Sequence, residues 1–165
     1  CTRAINDLSA SGLISQTAEG TNKWITTAYT KSELLEKAYG RLKTPVDRIL
    51  YVKGTAQIEH PIASGIRALA RQSMIGVNDQ DGAIAISKKE AAKIPAEDIC
   101  TKQYFEDFGG AVIEVWSYDP TILERDGCVD DISLLLSMDN DPNERVQTCL
   151  DEIRQKHGLP IKEEE

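Results

Sequence analysis

The chain reads as an α+β protein: a mixed α/β domain with a central sheet, preceded by a helix and a hairpin. Three observations predict this. Ala111-Val112-Ile113-Glu114-Val115-Trp116-Ser117-Tyr118 has the length and composition of a buried strand. Thr30-Lys31-Ser32-Glu33 and Asp141-Pro142-Asn143-Glu144 read as capping boxes, each marking a helix start. From residue 45 onward the runs follow one another as strand, helix, strand, strand, strand, helix, an order that calls for a sheet with helices packed on it.

The first helix is expected over residues 1–11. Cys1, Ile5 and Leu8 recur at i, i+4 and i+7, one apolar stripe, while Thr2, Arg3, Asn6 and Ser9 fall on the other face. Gly12 supplies the left-handed residue that ends a helix. Ile14 to Thr17 and Lys23 to Thr27 read as short strands, joined by the turn chemistry of Ala18-Glu19-Gly20-Thr21-Asn22. The helix begun by the Thr30 box runs to Tyr39 and stops at Gly40.

Thr44-Pro45 breaks the chain, and a boundary is expected there, dividing residues 1–44 from 45–165. Ile49-Leu50-Tyr51-Val52 reads as a buried strand. Pro61 suits the first position of a helix capped by His60, with Ile66, Leu69, Ala70, Ser73 and Met74 in helical period and Gly76 as its stop. Asp79-Gln80-Asp81-Gly82 is a turn, Ala83–Ile86 a strand, and residues 88–94 a short helix before Pro95. Ile132 to Met138 is an apolar run read as a strand. The last helix buries Val146, Cys149, Leu150 and Ile153 and ends at Gly158 and Pro160, before a solvated tail of Lys162 and three glutamates.

A helix, Gly12-Leu13-Ile14, a strand, a polar loop and a strand form the layout of a recognition helix followed by a wing. Over about its first thirty residues the sequence resembles the winged-helix transcriptional regulators of the MarR type. The resemblance implies that residues 1–11 enter the major groove and that the wing, residues 14–27, lies on the DNA backbone. It also implies a chain truncated at the recognition helix, since the helices that ordinarily precede it are absent. From Tyr51 onward the chain is similar to the effector half of a bacterial family whose relatives include the antitoxins of abortive-infection toxin–antitoxin pairs. The resembling pieces are Lys53-Gly54, Gly65-Ile66-Arg67-Ala68-Leu69, Glu114 to Pro120, and Val129-Asp130 with the helix that follows.

Charge agrees with a division of labour. The net charge is −8 over 165 residues, but residues 1–54 hold eight Lys/Arg against five Asp/Glu, and the remainder eleven against 22. A phosphate-facing surface belongs to the first third. Within it, Thr2, Arg3, Asn6 and Ser9 on the helix and Lys23 on the wing are the candidate DNA contacts. No run of eighteen apolar residues exists, so no transmembrane helix is expected. Cys1, Cys100, Cys128 and Cys149 show no CxxC pairing and read as free thiols of a reducing cytoplasm.

Enzyme chemistry finds little support. A metal-dependent nuclease needs an Asp and a Glu-x-Lys on adjacent strands, and here Trp116 stands where the Lys should follow Glu114. Ser64 lacks the G-x-S-x-G elbow, the histidines are His60 and His157, and neither dinucleotide nor P-loop motif occurs. The late acidic residues read as turn formers and caps, Arg67 and Arg71 as partners in internal ion pairs, and Trp24, Trp116 and Tyr118 as core. No cofactor or metal is expected. The leading expectation is a non-enzymatic, homodimeric, cytoplasmic DNA-binding regulator whose acidic domain dimerises or senses. The alternative is a protein-interaction module, such as an antitoxin that neutralises a toxin-like partner.

Overall fold

The computed structural model describes residues 2–54, 58–76 and 82–161. Cys1, the 79–81 part of the expected turn and the acidic tail lie outside the described residues. The chain divides into two compact units, residues 1–42 with 154–165, and residues 43–153.

In the first unit, helix α1 spans Thr2–Ala10. It closes at Gly12, whose φ of 72° is the left-handed value that a β-carbon disfavours. Leu13 then donates its N–H back to the Leu8 carbonyl and is buried. Strands β1, Ser15–Glu19, and β2, Asn22–Thr26, form an antiparallel pair. The strands run further than their turn-rich sequence suggests: Ala18 pairs with Lys23 and Glu19 with Asn22, leaving a two-residue turn at Gly20-Thr21. Helix α2, Lys31–Tyr39, begins in the expected box, in which Thr30 Oγ1 accepts from the Glu33 N–H and Glu33 Oε2 accepts from the Thr30 N–H.

The second unit is built on a five-stranded mixed sheet. Its strands are β3 (Val46–Val52), β4 (Ile62–Ser64), β5 (Ala83–Ser87), β6 (Ile99–Cys100) and β7 (Ala111–Trp116). They lie in the order β4-β5-β7-β3-β6. β7 sits at the centre, parallel to β5 and antiparallel to β3. The helices are α3 (Gly65–Ala70), α4 (Lys88–Ala91), α5 (Lys102–Phe108), α6 (Asp131–Met138) and α7 (Glu144–Lys156), the last continuing past residue 153. Alternation along β7 sends Ile113 and Val115 into one core with Val52, Ile86 and Ala91. It sends Val112, Glu114 and Trp116 to the opposite face.

Several expectations are corrected. Ile132–Met138 is helical, not a strand; Asp130 caps it by accepting the Ser133 N–H at 3.1 Å, and Leu134, Leu135 and Met138 are buried. A continuous apolar run fits a buried helix as well as a buried strand. Pro61 leads into β4 rather than opening a helix, so His60 caps nothing. The helix starts at Gly65 and ends at Ala70, which leaves Met74 fully exposed and Gly76 beyond it. The Asp141 box is displaced: Asn143 Oδ1 accepts from the Arg145 N–H and α7 begins at Glu144, while Asp141 bonds the Asn143 N–H and Pro142 stays outside the helix. Val146, Leu150 and Ile153 form the buried stripe with Cys149 only half-buried, and Ile49 is exposed on β3.

Candidate functional site

On α1 the side chains of Arg3 and Asn6, three residues apart and so neighbours on one face, are both exposed. Ser9 differs from them. It is half-buried, and its hydroxyl accepts a hydrogen bond from Gln16 Nε2 of β1 at 2.9 Å. Thr2 begins the helix, and its side chain lies outside the described ones. A second tie joins the two ends of the hairpin segment, the Thr27 hydroxyl donating to the Leu13 carbonyl at 2.8 Å. The hairpin is therefore tied to the helix at Ser9 and closed on itself beside the buried Leu13.

Every residue of β1 and β2 is exposed. Cross-strand pairs Gln16–Ile25 and Ala18–Lys23 share one face of the ribbon, and Thr17–Trp24 belongs to the other. Because Gln16 reaches α1, the face carrying Lys23 is the one turned toward the helix. Lys23 is exposed there. Trp24 is not core: 56% of it is exposed, with Ile25 at 51% on the Lys23 face. A two-stranded ribbon lacks the second layer that would bury an aromatic side chain.

In the second unit, sequence reasoning saw Glu114, Trp116 and Ser64 separately and missed that they meet. Glu114 Oε2 accepts from the Ser64 hydroxyl at 2.6 Å and from the Trp116 indole N–H at 3.0 Å, all three side chains being buried. The spacing of Glu114 and Trp116 on one strand placed both on one face and was the available signal. Ser64 arrives from the end of β4, where its extended backbone opens α3 without a side-chain cap, its hydroxyl being spent on Glu114. The Trp that breaks the nuclease pattern thus acts as a donor to the carboxylate. Its ring packs edge-on against Tyr118 at 5.4 Å. Tyr118 is bonded to Ser133, and burial raises its phenol above the usual value, with Asp130 adding to the effect and the Ser133 bond opposing it.

The late carboxylates hold turns. Asp119 accepts from both the N–H and the hydroxyl of Thr121, and Glu124 accepts from the Gly127 N–H. Arg71 reaches the Gly127 carbonyl and the Cys128 sulfur, each at 3.5 Å, rather than a carboxylate. Cys100, Cys128 and Cys149 are free thiols, and among the described residues no three His, Cys, Asp or Glu side chains are gathered to hold a metal ion. No described helix is long and apolar enough to cross a membrane. Comparison of the chain with family models, with curated proteins and with solved structures finds no match.

Proposed function

We propose that the first unit is the DNA-contacting part of a cytoplasmic transcriptional regulator of winged-helix type, with α1 in the major groove and the β1–β2 hairpin along the backbone. The observation that carries this reading is a hairpin exposed on both faces yet tied to α1 through Ser9–Gln16, with its two ends held together by Leu13–Thr27. Such a ribbon has no core of its own; its use lies in the surface that it presents. Arg3 and Asn6 are the residue types that read guanine and adenine edges by paired hydrogen bonds. Lys23 meets a phosphate. Thr2 and Ser9 complete the contact set, Ser9 also setting the angle of the wing. The excess of basic residues over residues 1–54 supports the same assignment. The second unit dimerises the regulator or senses a partner, and a dimer matches a palindromic site.

The test is binding of the full-length protein to its own promoter across a salt series. Log affinity falls linearly with log salt; Arg3→Ala weakens binding by about 1–3 kcal/mol, and Lys23→Ala weakens all sequences alike and lowers the salt slope by roughly one. Absence of binding at low salt overturns the reading. A second reading, a toxin-neutralising interaction module, is favoured by the 22 acidic against eleven basic residues after residue 54. It wins if residues 43–161 capture the product of a neighbouring gene while the full-length protein ignores the promoter.

A further inference from the structure

Glu114 occupies the central strand of the sheet with only 9% of its surface exposed. Among the described residues its donors are Ser64 and Trp116, and both serve one oxygen, Oε2. No described residue donates to the other oxygen, Oε1. Oε1 is not among the buried unpaired atoms: it keeps its acceptor capacity free and meets solvent, although the residue as a whole is nine-tenths covered.

A cleft of about 440 Å3 lies against this group. Its apolar wall comes from Ile66, Val112 and Met138, and Ser137 and Asp141 stand on its α6 side and beyond. Gly65 also lines the cleft, and Oε1 is the atom nearest to where its β-carbon would stand, at an ordinary contact distance of 3.8 Å, which places Oε1 on the cleft side of the carboxylate. The φ of 55° at Gly65 disfavours any side chain there.

We propose that this cleft binds a cation that bears N–H donors on an aliphatic stem, a guanidinium or primary ammonium group, with Glu114 Oε1 as its acceptor. The apolar wall suits the stem, and a buried carboxylate with Asp141 nearby rewards positive charge and repels anions. A neutral alcohol gives the same apolar contact without neutralising the carboxylate. A metal ion fits less well, since no group of three metal-ligating carboxylate, thiol or imidazole side chains exists among the described residues. The cation comes either from a free small molecule or from an arginine or lysine of another protein, and the test separates these sources.

The chain has two tryptophans, and the Trp116 indole N–H, bonded to Glu114, reports on the site while Trp24 serves as the control. The experiment follows both indole signals by NMR in the full chain. It is titrated with n-butylguanidinium, n-butylammonium, n-butanol, butyrate and the capped peptide acetyl-Gly-Arg-Gly-amide. A saturable shift of Trp116 with the cations, absent with butanol and butyrate and absent at Trp24, supports the site. Saturation by the peptide as well identifies a protein side chain as the source; saturation by the small cations alone identifies a free ligand. Glu114→Gln keeps an acceptor for Ser64 and Trp116 but loses the charge, and it weakens binding by roughly tenfold or more. Ser137→Leu fills the cleft without touching Glu114 and produces the same loss, so it decides the matter alone if Glu114→Gln does not fold. The proposal is overturned if no cation saturates the Trp116 signal, if butanol matches the cations, or if Ser137→Leu binds unchanged.

Discussion

Within residues 1–42 both hairpin strands are exposed along their whole length, and Leu13 is the buried side chain among those described. Within residues 43–153 the sheet encloses Val52, Ile86, Ile113 and Val115, none more than 2% exposed, and Leu134 and Leu135 are fully covered. The first region keeps its shape through hydrogen bonds at particular points: the Thr30–Glu33 box, Ser9 to Gln16, Thr27 to Leu13. The second keeps its shape through burial, the larger driving force by far. A surface meant for contact must hold its side chains outside, and a region made mostly of such surface has little left to bury. Its backbone then opens at low free energy, as contact regions commonly do.

The largest effect that sharpens this contrast belongs to the covered core. Leu134→Ala costs about 2–5 kcal/mol and lowers the urea midpoint of the second unit without changing the slope. An unmoved midpoint would mean that burial is not what holds this region. Thr30→Ala is smaller, costing about 1 kcal/mol through the lost cap. It shows as faster hydrogen exchange at the first turn of α2, while the amides of β7 exchange as before. Smaller again are Trp24→Ser and Ile25→Thr, each within about 0.5 kcal/mol because both side chains are exposed. A marked fall in thermal stability from either would break the comparison by revealing a core under the hairpin.

The weakest effects are in pH, and they have opposite signs in the two regions. In the first, the Glu33 carboxylate is held below its usual 4.5, chiefly by the Thr30 N–H and then by the Thr30 hydroxyl, with Lys37 adding. Its contribution is present above about pH 4.5 and fades as pH falls through the lowered value, so α2 frays at the acid end first. In the second, Tyr118 is raised above 10.0 by burial, so its contribution is present below pH 10.0 and is lost as pH rises through the raised value. Tyrosinate absorbance against pH, in wild type and Tyr118→Phe, and exchange of the Glu33 amide check the two limbs.

Local chemistry was legible in the sequence and long-range meetings were not. The Thr30 box, the turn at Gly12 and the β7 run are each specified by adjacent residues, and each stands where expected. Arg3, Asn6 and Lys23 were read from period and composition as exposed polar groups, and exposed they are. What was not legible has several causes. The bond from Gln16 to Ser9 joins helix to hairpin, and no periodicity announces it. Ser64 and Glu114 stand fifty positions apart and meet only because β4, β5 and β7 lie side by side. Helix α5 was missed although Tyr104, Phe105 and Phe108 stand at helical spacing; the segment is only seven residues long, none of them fully buried, and its start is marked by Thr101, whose hydroxyl accepts the Tyr104 N–H. The α6 run was misread because burial on many sides erases the period that separates helix from strand.

The central position of β7 has a consequence for how the protein is made. Of the five strands it is the last to leave the ribosome, yet it is the one that β3 and β5 both need. Until residue 116 emerges, the growing chain holds at most two separate ribbons, β4 with β5 and β3 with β6, each with an open edge facing a gap. Two-stranded pieces are marginal in water, and open edges invite pairing with other chains. Folding of this region is therefore a late event that closes the gap in one step, and any nascent chain stalled before Ala111 is a substrate for chaperones or for aggregation.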